Sequence, residues 1–115
     1  MLSGCAKLPS FNIPNTVTSI GDFVMSDCPK LEYIIIPDSV TYIGESVFYN
    51  TGIKSATISK NITAIPRLLF SSCKELTNIV YNGTTTQWRS LSKGANWHTY
   101  VPATVVHCTD GDAPI

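Results

Sequence analysis

The chain is short of charge, and the charges that it carries cancel. Only 14% of its 115 residues are Asp, Glu, Lys or Arg, and eight acidic residues balance eight basic ones. Without a basic excess or a Lys/Arg cluster, the sequence lacks the electrostatic footprint of a nucleic-acid-binding protein. No apolar run approaches the ~18 residues that a membrane-spanning helix needs. We therefore predict no nucleic-acid partner and no insertion into a membrane.

Residues suited to catalysis or metal binding are also sparse. Both histidines, His98 and His107, lie near the C-terminus, and no serine or cysteine stands in a nucleophile-elbow motif. The first three cysteines are separated by 23 and 45 residues, which match no zinc signature. The Asp110-Gly111-Asp112 stretch lacks the later ligands of a calcium loop. We predict no enzyme activity, no catalytic residues, no metal site and no cofactor.

What the sequence does contain is an internal repeat. An Ile-Pro-x-x-Val-x-x-Ile-Gly pattern starts at Ile13 and at Ile36, and variants of it start at Ile58 and Tyr81, at intervals of 23, 22 and 23 residues. Residues 2–11 fit the same offsets, so the chain begins in mid-repeat and is expected to be a piece of a longer protein. The columns of matching apolar residues are Val17, Val40 and Ile62; Ile20, Ile43 and Ile65; Met25, Phe48 and Phe70; Leu31, Ile53 and Leu76; and Ile34, Ala56 and Ile79.

A period of 20–29 residues with Leu-x-x-Ile-x-Ile at its centre is typical of leucine-rich-repeat solenoids. The alternation in residues 31–36 predicts a strand whose Tyr33 and Ile35 point outward. Stacked units would lay these strands side by side as a parallel sheet, and residues 44–48 would form a short helical turn on the opposite face, with Phe48 in the core. The predicted class is α/β, a right-handed leucine-rich-repeat solenoid with a helix-strand cap at its C-terminus.

The cap is predicted from the last third of the chain. Thr85 is suited to N-cap a short helix that Gly94 would end, and Trp88 and Trp97 would cover the last core. Strand 77–81, this helix and strand 104–108 would form a right-handed crossover. We predict repeats over residues 1–81, a capping unit over 82–108, and a flexible tail or the start of a linker over 109–115.

Two repeat columns carry thiol or polar side chains. Cys28 and Cys73 lie two units apart, or ~10 Å at the usual strand spacing, which is too far for a disulfide. Cys5 lies one unit from Cys28 and could bond to it, although side chains in a stacked column point in parallel; buried thiols are the favoured interpretation. The polar column consists of Thr16, Ser39 and Asn61. Their side chains are expected to turn inward and bond backbone groups.

One repeat unit carries a specific resemblance. It runs Cys28-x-x-Leu31-x-x-Ile34-x-Ile36-Pro37-x-x-Val40-x-x-Ile43-Gly44-x-x-x-Phe48 and is similar to the repeat of the BspA-like leucine-rich-repeat proteins. The resemblance covers about residues 2–81, and the tail is similar to the unit that often closes such arrays. The third unit departs from it, with Ser59 at the anchor proline and Pro66 at the turn glycine. The resemblance implies a bacterial protein that is secreted or displayed on the cell surface.

The outward strand positions are the candidate ligand-binding residues. Their side chains carry almost no charge, and Tyr33, Ile35 and Val80 form an apolar ridge. Solenoids commonly bind on the concave sheet, and an uncharged face with an exposed aromatic suits contact with a protein or a glycan. Alternatively, the face packs against a neighbouring chain or has no partner. The candidate residues are Tyr33, Ile35, Ser55, Thr57, Asn78 and Val80.

Two functions are compatible with these features. The first is a non-catalytic interaction module, for example an adhesin, that binds a host or bacterial surface protein or a glycan. The second is a structural spacer or accessory array in a larger secreted enzyme. The repeat pattern itself does not indicate an oligomeric state.

Overall fold

A computed structural model describes residues 10–115 of the chain, with side chains from Ile13 onward. These residues form a β-solenoid of about four coils, with many short strands and little helix. The elements are β1 (Ser10–Asn12), β2 (Ser19–Ile20), β3 (Tyr33–Ile35), β4 (Tyr42–Ile43), β5 (Ser55–Ile58), β6 (Ala64–Ile65), β7 (Asn78–Tyr81), α1 (Thr85–Ser90), β8 (Ser92–Lys93), β9 (Val105–Cys108) and β10 (Gly111–Pro114).

One six-stranded sheet follows the repeat. Its order is β1-β3-β5-β7-β9-β10, and the first five strands run parallel, with Tyr33 paired to Ser55 and Ser55 paired to Asn78. The predicted parallel sheet is thus present. Two smaller two-stranded sheets, β2-β4 and β6-β8, lie elsewhere on the coils. Because each strand pairs with its counterpart in the next coil, the repeat period sets the register.

The core is a stack of the apolar columns. Leu31, Ile34 and Ile36 are buried, while Tyr33 and Ile35 are exposed, as the alternation predicted. Phe48 lies fully in the core and stacks on Phe70 with 5.7 Å between ring centroids. Each such buried side chain contributes about 1.5–3 kcal/mol relative to an exposed one. The stacked columns therefore supply the main stabilising force between coils.

The helical turn predicted for residues 44–48 is not formed, and α1 is the one helix within residues 10–115. Ser46 and Asn50 have φ angles of 59° and 57°, in the left-handed region that a right-handed helix does not use. The backbone N–H groups of Ser46, Phe48 and Asn50 donate to carbonyls of the next coil. Because these donors are engaged between coils, they are not available for bonds within a helical turn.

The C-terminal unit contains the predicted helix and parallel strand, with shifted ends. Thr84, and not Thr85, is the N-cap of α1, and it forms a capping box with Gln87. The helix ends at Ser90, so Gly94 does not terminate it. Gly94 instead packs against the preceding coil, where an added Cβ would lie 2.2 Å from the Arg67 nitrogen. Strand β9 pairs in parallel with β7, and Trp88 and Trp97 are buried over the last coil.

The tail is ordered, contrary to the expectation of a flexible end. Residues 111–114 form β10, which pairs antiparallel with β9. Ala113 is fully buried against the last coil. Asp110 accepts a hydrogen bond of 2.8 Å from the Thr85 backbone N–H, so the hairpin loop also contacts the start of α1. The chain therefore closes the end of its sheet with a hairpin.

Cys73 behaves as predicted. Cys73 is a free, fully buried thiol whose Sγ lies 3.0 Å from the Phe48 carbonyl oxygen and 3.2 Å from the Thr51 hydroxyl. Cys28 is also buried, and no disulfide joins it to Cys73. Cys5 lies outside the described residues, so its state stays a prediction.

The polar column differs from the prediction. Asn61 is exposed, although its side-chain amide does donate to the Asp38 carbonyl at 2.7 Å. The Ser39 hydroxyl is buried without a hydrogen-bond partner among residues 10–115. The buried polar link in this turn is Ser59, whose hydroxyl donates to the Val40 carbonyl at 2.8 Å and accepts from the Asn61 N–H. A serine at the anchor-proline position thus provides the bond that the polar column was expected to make.

Candidate functional site

The candidate site is the outward face of the six-stranded sheet, which we call the sheet face. Strand register arranges its side chains in two rows that run across the strands. One row contains Tyr33, Ser55 and Asn78, and the other contains Ile35, Thr57 and Val80. All six predicted residues therefore lie together on one surface. Whether this surface binds a ligand stays a prediction.

Tyr33 and Ile35 are the most prominent side chains of the sheet face. They are 55% and 61% exposed, whereas the other four candidate residues are half-buried. The two lie in the same short strand, β3, one residue apart. The adjacent strands place small polar residues beside them, so both side chains stand clear of their neighbours. This arrangement leaves the two apolar side chains exposed next to each other.

The polar groups of the sheet face are mostly matched to one another. Asn78 donates a side-chain hydrogen bond of 3.0 Å to the Ser55 hydroxyl. Glu32 and Lys54, just before β3 and β5, form an exposed ion pair with 3.7 Å between oxygen and nitrogen. Such exposed pairs contribute little stability. Charge thus lies at the rim of the face, and the centre is uncharged.

Two further residues extend the sheet face toward the C-terminus. His107 lies next to Val80 in the register, and Asp112 lies next to His107. The His107 Nδ1 and Asp112 Oδ1 atoms are 2.7 Å apart, and both side chains are about half exposed. The sequence analysis missed this pair because it treated residues 109–115 as a tail. Alternation from the inward Val106 would have placed His107 outward.

A second concave surface, which is shallow, lies beside the turns that follow β4 and β6. It is lined by Asp22, Tyr42, Glu45 and Arg67, among others. Arg67 bonds to the Glu45 carboxylate at 3.3 Å, and Asp22 accepts from the Glu45 backbone N–H at 3.0 Å. These polar groups link successive coils. The contacts between these polar groups explain their presence without a ligand.

Three ionisable groups near the C-terminal end, Tyr81, Lys93 and Cys108, have environments that disfavour their charged forms. Burial raises the pKa of the Cys108 thiol, and the nearby carboxylates of Asp110 and Asp112 raise it further. Burial likewise raises the pKa of Tyr81 and lowers the pKa of Lys93, whose ammonium lies 4.8 Å from the centroid of a Trp88 ring. None of these groups is paired with a base in a pocket. The described residues contain no cluster of His, Cys, Asp and Glu that could hold a metal ion.

A search of the described residues for a long, apolar, membrane-spanning helix finds none. The six-residue α1 is far shorter than the ~20 residues that such a span requires.

A comparison with known protein families agrees with the solenoid fold. A family model described as a BspA type leucine-rich repeat region matches residues 1–94, with six copies of the repeat. The match passes Tyr81 and extends through α1 and β8. No curated protein and no solved structure matches the chain. Leucine-rich repeats are generally non-enzymatic, and those of the BspA type are typically found in bacterial surface proteins. The repeat, the solenoid and the family match together show that the chain belongs to the BspA-type leucine-rich-repeat family.

Proposed function

We propose that the chain is a non-catalytic interaction module of a secreted or cell-surface bacterial protein. In this proposal it acts as an adhesin and binds a protein or a glycan through the sheet face. The observation that carries the proposal is the exposure of Tyr33 and Ile35 side by side on a face without central charge. The family supports the same direction, because its repeats suggest a protein-interaction module.

The energetics favour these two residues as anchors. Burial of a side chain of this size against a partner contributes about 1.5–3 kcal/mol. Binding energy at protein interfaces is concentrated in a few such residues, and tyrosine is enriched among them. The small polar side chains of Ser55 and Thr57 would form the surrounding contacts that exclude water. Tyr33 and Ile35 should therefore dominate the affinity.

The test is a binding screen with a matched pair of variants. The chain is passed over immobilised extracellular-matrix proteins, bacterial surface proteins and an oligosaccharide array, with affinity measured by surface plasmon resonance. We expect saturable binding to at least one of these ligands. The double variant Tyr33→Glu/Ile35→Glu should weaken this binding at least about tenfold, because each substitution places a charge in the apolar contact.

The control variant is Tyr42→Glu. Tyr42 is 55% exposed, as Tyr33 is, but it lies in β4 and outside the sheet face. It should leave the affinity unchanged, and circular dichroism should show all variants folded. Equal loss in both variants would place the binding site elsewhere. Failure to bind any ligand of the panel would favour the spacer function instead.

A further inference from the structure

Successive turns on the side opposite the sheet face are joined by a repeated set of three hydrogen bonds, which we call the turn ladder. In each turn, the N–H groups of three alternate residues donate to carbonyls of three alternate residues in the next coil. The set occurs three times in the described chain. The first set joins the donors Phe23, Met25 and Asp27 to the acceptors Glu45, Val47 and Tyr49, in that order. The second joins Ser46, Phe48 and Asn50 to Arg67, Leu69 and Ser71. The third joins Leu68, Phe70 and Ser72 to Ala95, Trp97 and Thr99.

The last turn has the shape of the others, and no further coil follows it within residues 10–115. Its equivalent donors are the N–H groups of Asn96, His98 and Tyr100, and none of these has a hydrogen-bond partner within residues 10–115. Asn96 and Tyr100 have φ angles of 58° and 66°, close to the values at the equivalent positions of the earlier turns. The geometry that directs these donors toward the next coil is therefore retained. Three aligned donors remain open at the end of the solenoid.

The cap does not cover these donors. Trp88 of α1 packs on the inner side of Trp97, with 5.6 Å between ring centroids, and β10 closes the sheet. Asn96 is exposed and Tyr100 is 72% exposed. Residues 96–100 also line a shallow pocket, and none of their side chains is Asp, Glu, Lys or Arg. The sheet ends in the edge strand β10, whereas the turn side presents donors beside an aromatic surface without Asp, Glu, Lys or Arg side chains.

We propose that this open turn is a docking site for a polypeptide segment of a partner protein, which binds by continuing the turn ladder. Backbone carbonyls on three alternate residues of the segment accept from Asn96, His98 and Tyr100. An apolar or aromatic side chain of the segment packs against Tyr100. Addition of a peptide to an open backbone edge is a known recognition mode. A polypeptide segment reproduces the pattern of the internal ladders, in which the three N–H groups bond carbonyls of three separate residues.

The side chains that line this pocket also favour one kind of peptide segment. Because the pocket contains no Asp, Glu, Lys or Arg side chain, it offers no permanent charge for an ion pair, and an uncharged segment loses the least hydration energy on docking. This site lies away from the sheet face, and its function does not depend on the adhesin proposal.

The first experiment measures amide hydrogen exchange by NMR in the free protein. We expect the N–H groups of Asn96, His98 and Tyr100 to exchange at least about 100-fold faster than those of Leu68, Phe70 and Ser72, because only the latter are bonded between coils. Equal protection of the two sets would show that the donors are already satisfied and would overturn the proposal. Protection that increases with protein concentration would identify a second copy as the occupant and would also overturn it.

The second experiment uses a defined peptide probe. The acetylated and amidated peptide of residues 94–101 contains no Asp, Glu, Lys or Arg. It carries the carbonyls of Ala95, Trp97 and Thr99, the three acceptors of the last internal ladder. Titration should slow exchange at Asn96, His98 and Tyr100 and shift their resonances in a saturable way. Shifts confined to the sheet face, or no saturable shift at millimolar peptide, would contradict the proposal.

Two modified probes test the bonding pattern itself. An ester in place of the amide between residues 97 and 98 of the peptide weakens the Trp97 carbonyl as an acceptor, and we expect at least about a fivefold loss of affinity. An ester between residues 96 and 97 changes a carbonyl outside the ladder and should be better tolerated. The Tyr33→Glu/Ile35→Glu protein should bind the unmodified peptide normally, which separates this site from the sheet face. Equal effects of the two esters would exclude a ladder-type interaction.

Discussion

At the scale of single residues, Gly44 has a tight steric requirement. An added Cβ would lie 2.2 Å from the Asp22 Oδ1 atom and 2.6 Å from the Asp22 backbone nitrogen. The clash involves backbone and a carboxylate that accepts from the Glu45 N–H, so it cannot be relieved by a side-chain rotation alone. We predict that Gly44→Ala lowers the free energy of unfolding by about 1–3 kcal/mol, measured by urea denaturation.

The control for this variant is Gly21→Ala in the preceding coil. Gly21 occupies the same repeat position, but its added Cβ would meet only the Val24 Cγ2 atom, at 3.8 Å. We expect a change within about 0.5 kcal/mol. Equal destabilisation by both substitutions would mean that the cost comes from the repeat position itself and not from contact with the coil before it.

Thiol reactivity tests the burial of the cysteine column. Burial raises the pKa of Cys73, so its reactive thiolate is disfavoured, and its Sγ is also inaccessible. We predict that iodoacetamide at pH 8 alkylates half-buried Cys108 in the native protein while Cys73 stays unmodified until urea unfolds the chain. Mass-spectrometric mapping gives the modification at each site. Alkylation of Cys73 at the rate of Cys108 in native buffer would contradict this burial.

The direction of each side chain in the strands was predictable, but the backbone of the turns was not. Alternation with a period of two placed Tyr33 and Ile35 outward correctly. The left-handed conformations at Phe23, Leu68 and Tyr100 could not be predicted from the sequence, because aromatic and leucine residues rarely adopt them. At Phe23 and Leu68 they are accompanied by hydrogen bonds to the neighbouring coil, which a local pattern does not contain. For this reason the predicted helical turn was wrong.

At the scale of secondary-structure elements, α1 depends on its N-cap. The Thr84 hydroxyl accepts from the Gln87 N–H at 3.1 Å, and the Gln87 side chain accepts from the Thr84 N–H at 2.8 Å. Since α1 has only six residues, it has little stability of its own. We predict that Thr84→Ala lowers the free energy of unfolding by about 1 kcal/mol, measured by urea titration with tryptophan fluorescence as the probe.

Thr86→Ala is the matched control within the same helix. Its side chain is exposed and takes no part in the capping box. Alanine has the higher helix propensity, so this variant should be neutral or slightly more stable. A loss of stability in Thr86→Ala equal to that of Thr84→Ala would show that the capping box is unimportant.

The tail hairpin was the element that sequence reasoning missed, although a signal for it was present. Asp-Gly dipeptides are typical of turns, and here Asp110 ends the two-residue loop and Gly111 begins β10, with a φ of 137° that other residues avoid. The sequence analysis read the same residues only as an incomplete calcium loop. The β10 side chains are small and mostly exposed, so they gave no strong strand pattern. As a result, the His107–Asp112 pair was absent from the predicted site. The six strand residues of that site were correctly placed on one face of the sheet.

At the scale of the whole molecule, the β9–β10 hairpin protects the end of the core. Ala113 is fully buried opposite Val106, so a carboxylate there would have neither water nor a partner. We predict that Ala113→Asp lowers the free energy of unfolding by about 3 kcal/mol or more. In a solenoid each coil contacts only its neighbours, so hydrogen exchange should increase first in α1, β9 and β10 and least in β3 and β5.

Asp112→Ala, in the same strand, separates burial from the loss of the hairpin's ion pair. Asp112 is exposed and pairs with an exposed histidine, so its removal should cost less than about 1 kcal/mol. If Asp112→Ala were as destabilising as Ala113→Asp, the hairpin would be held by its surface pair and not by its buried contact.

The repeat register also has a mechanical consequence. Hydrogen bonds between residues 22 or 23 positions apart run from coil to coil, along the axis of the solenoid. Each coil adds only ~4.8 Å to the folded length, yet its chain can extend to roughly 75 Å. A pull along the axis loads these bonds in tension, and the coils separate one after another as force spreads inward from an end. When a chain of this design is pulled along its axis, it is expected to lengthen about fifteenfold in steps of one repeat.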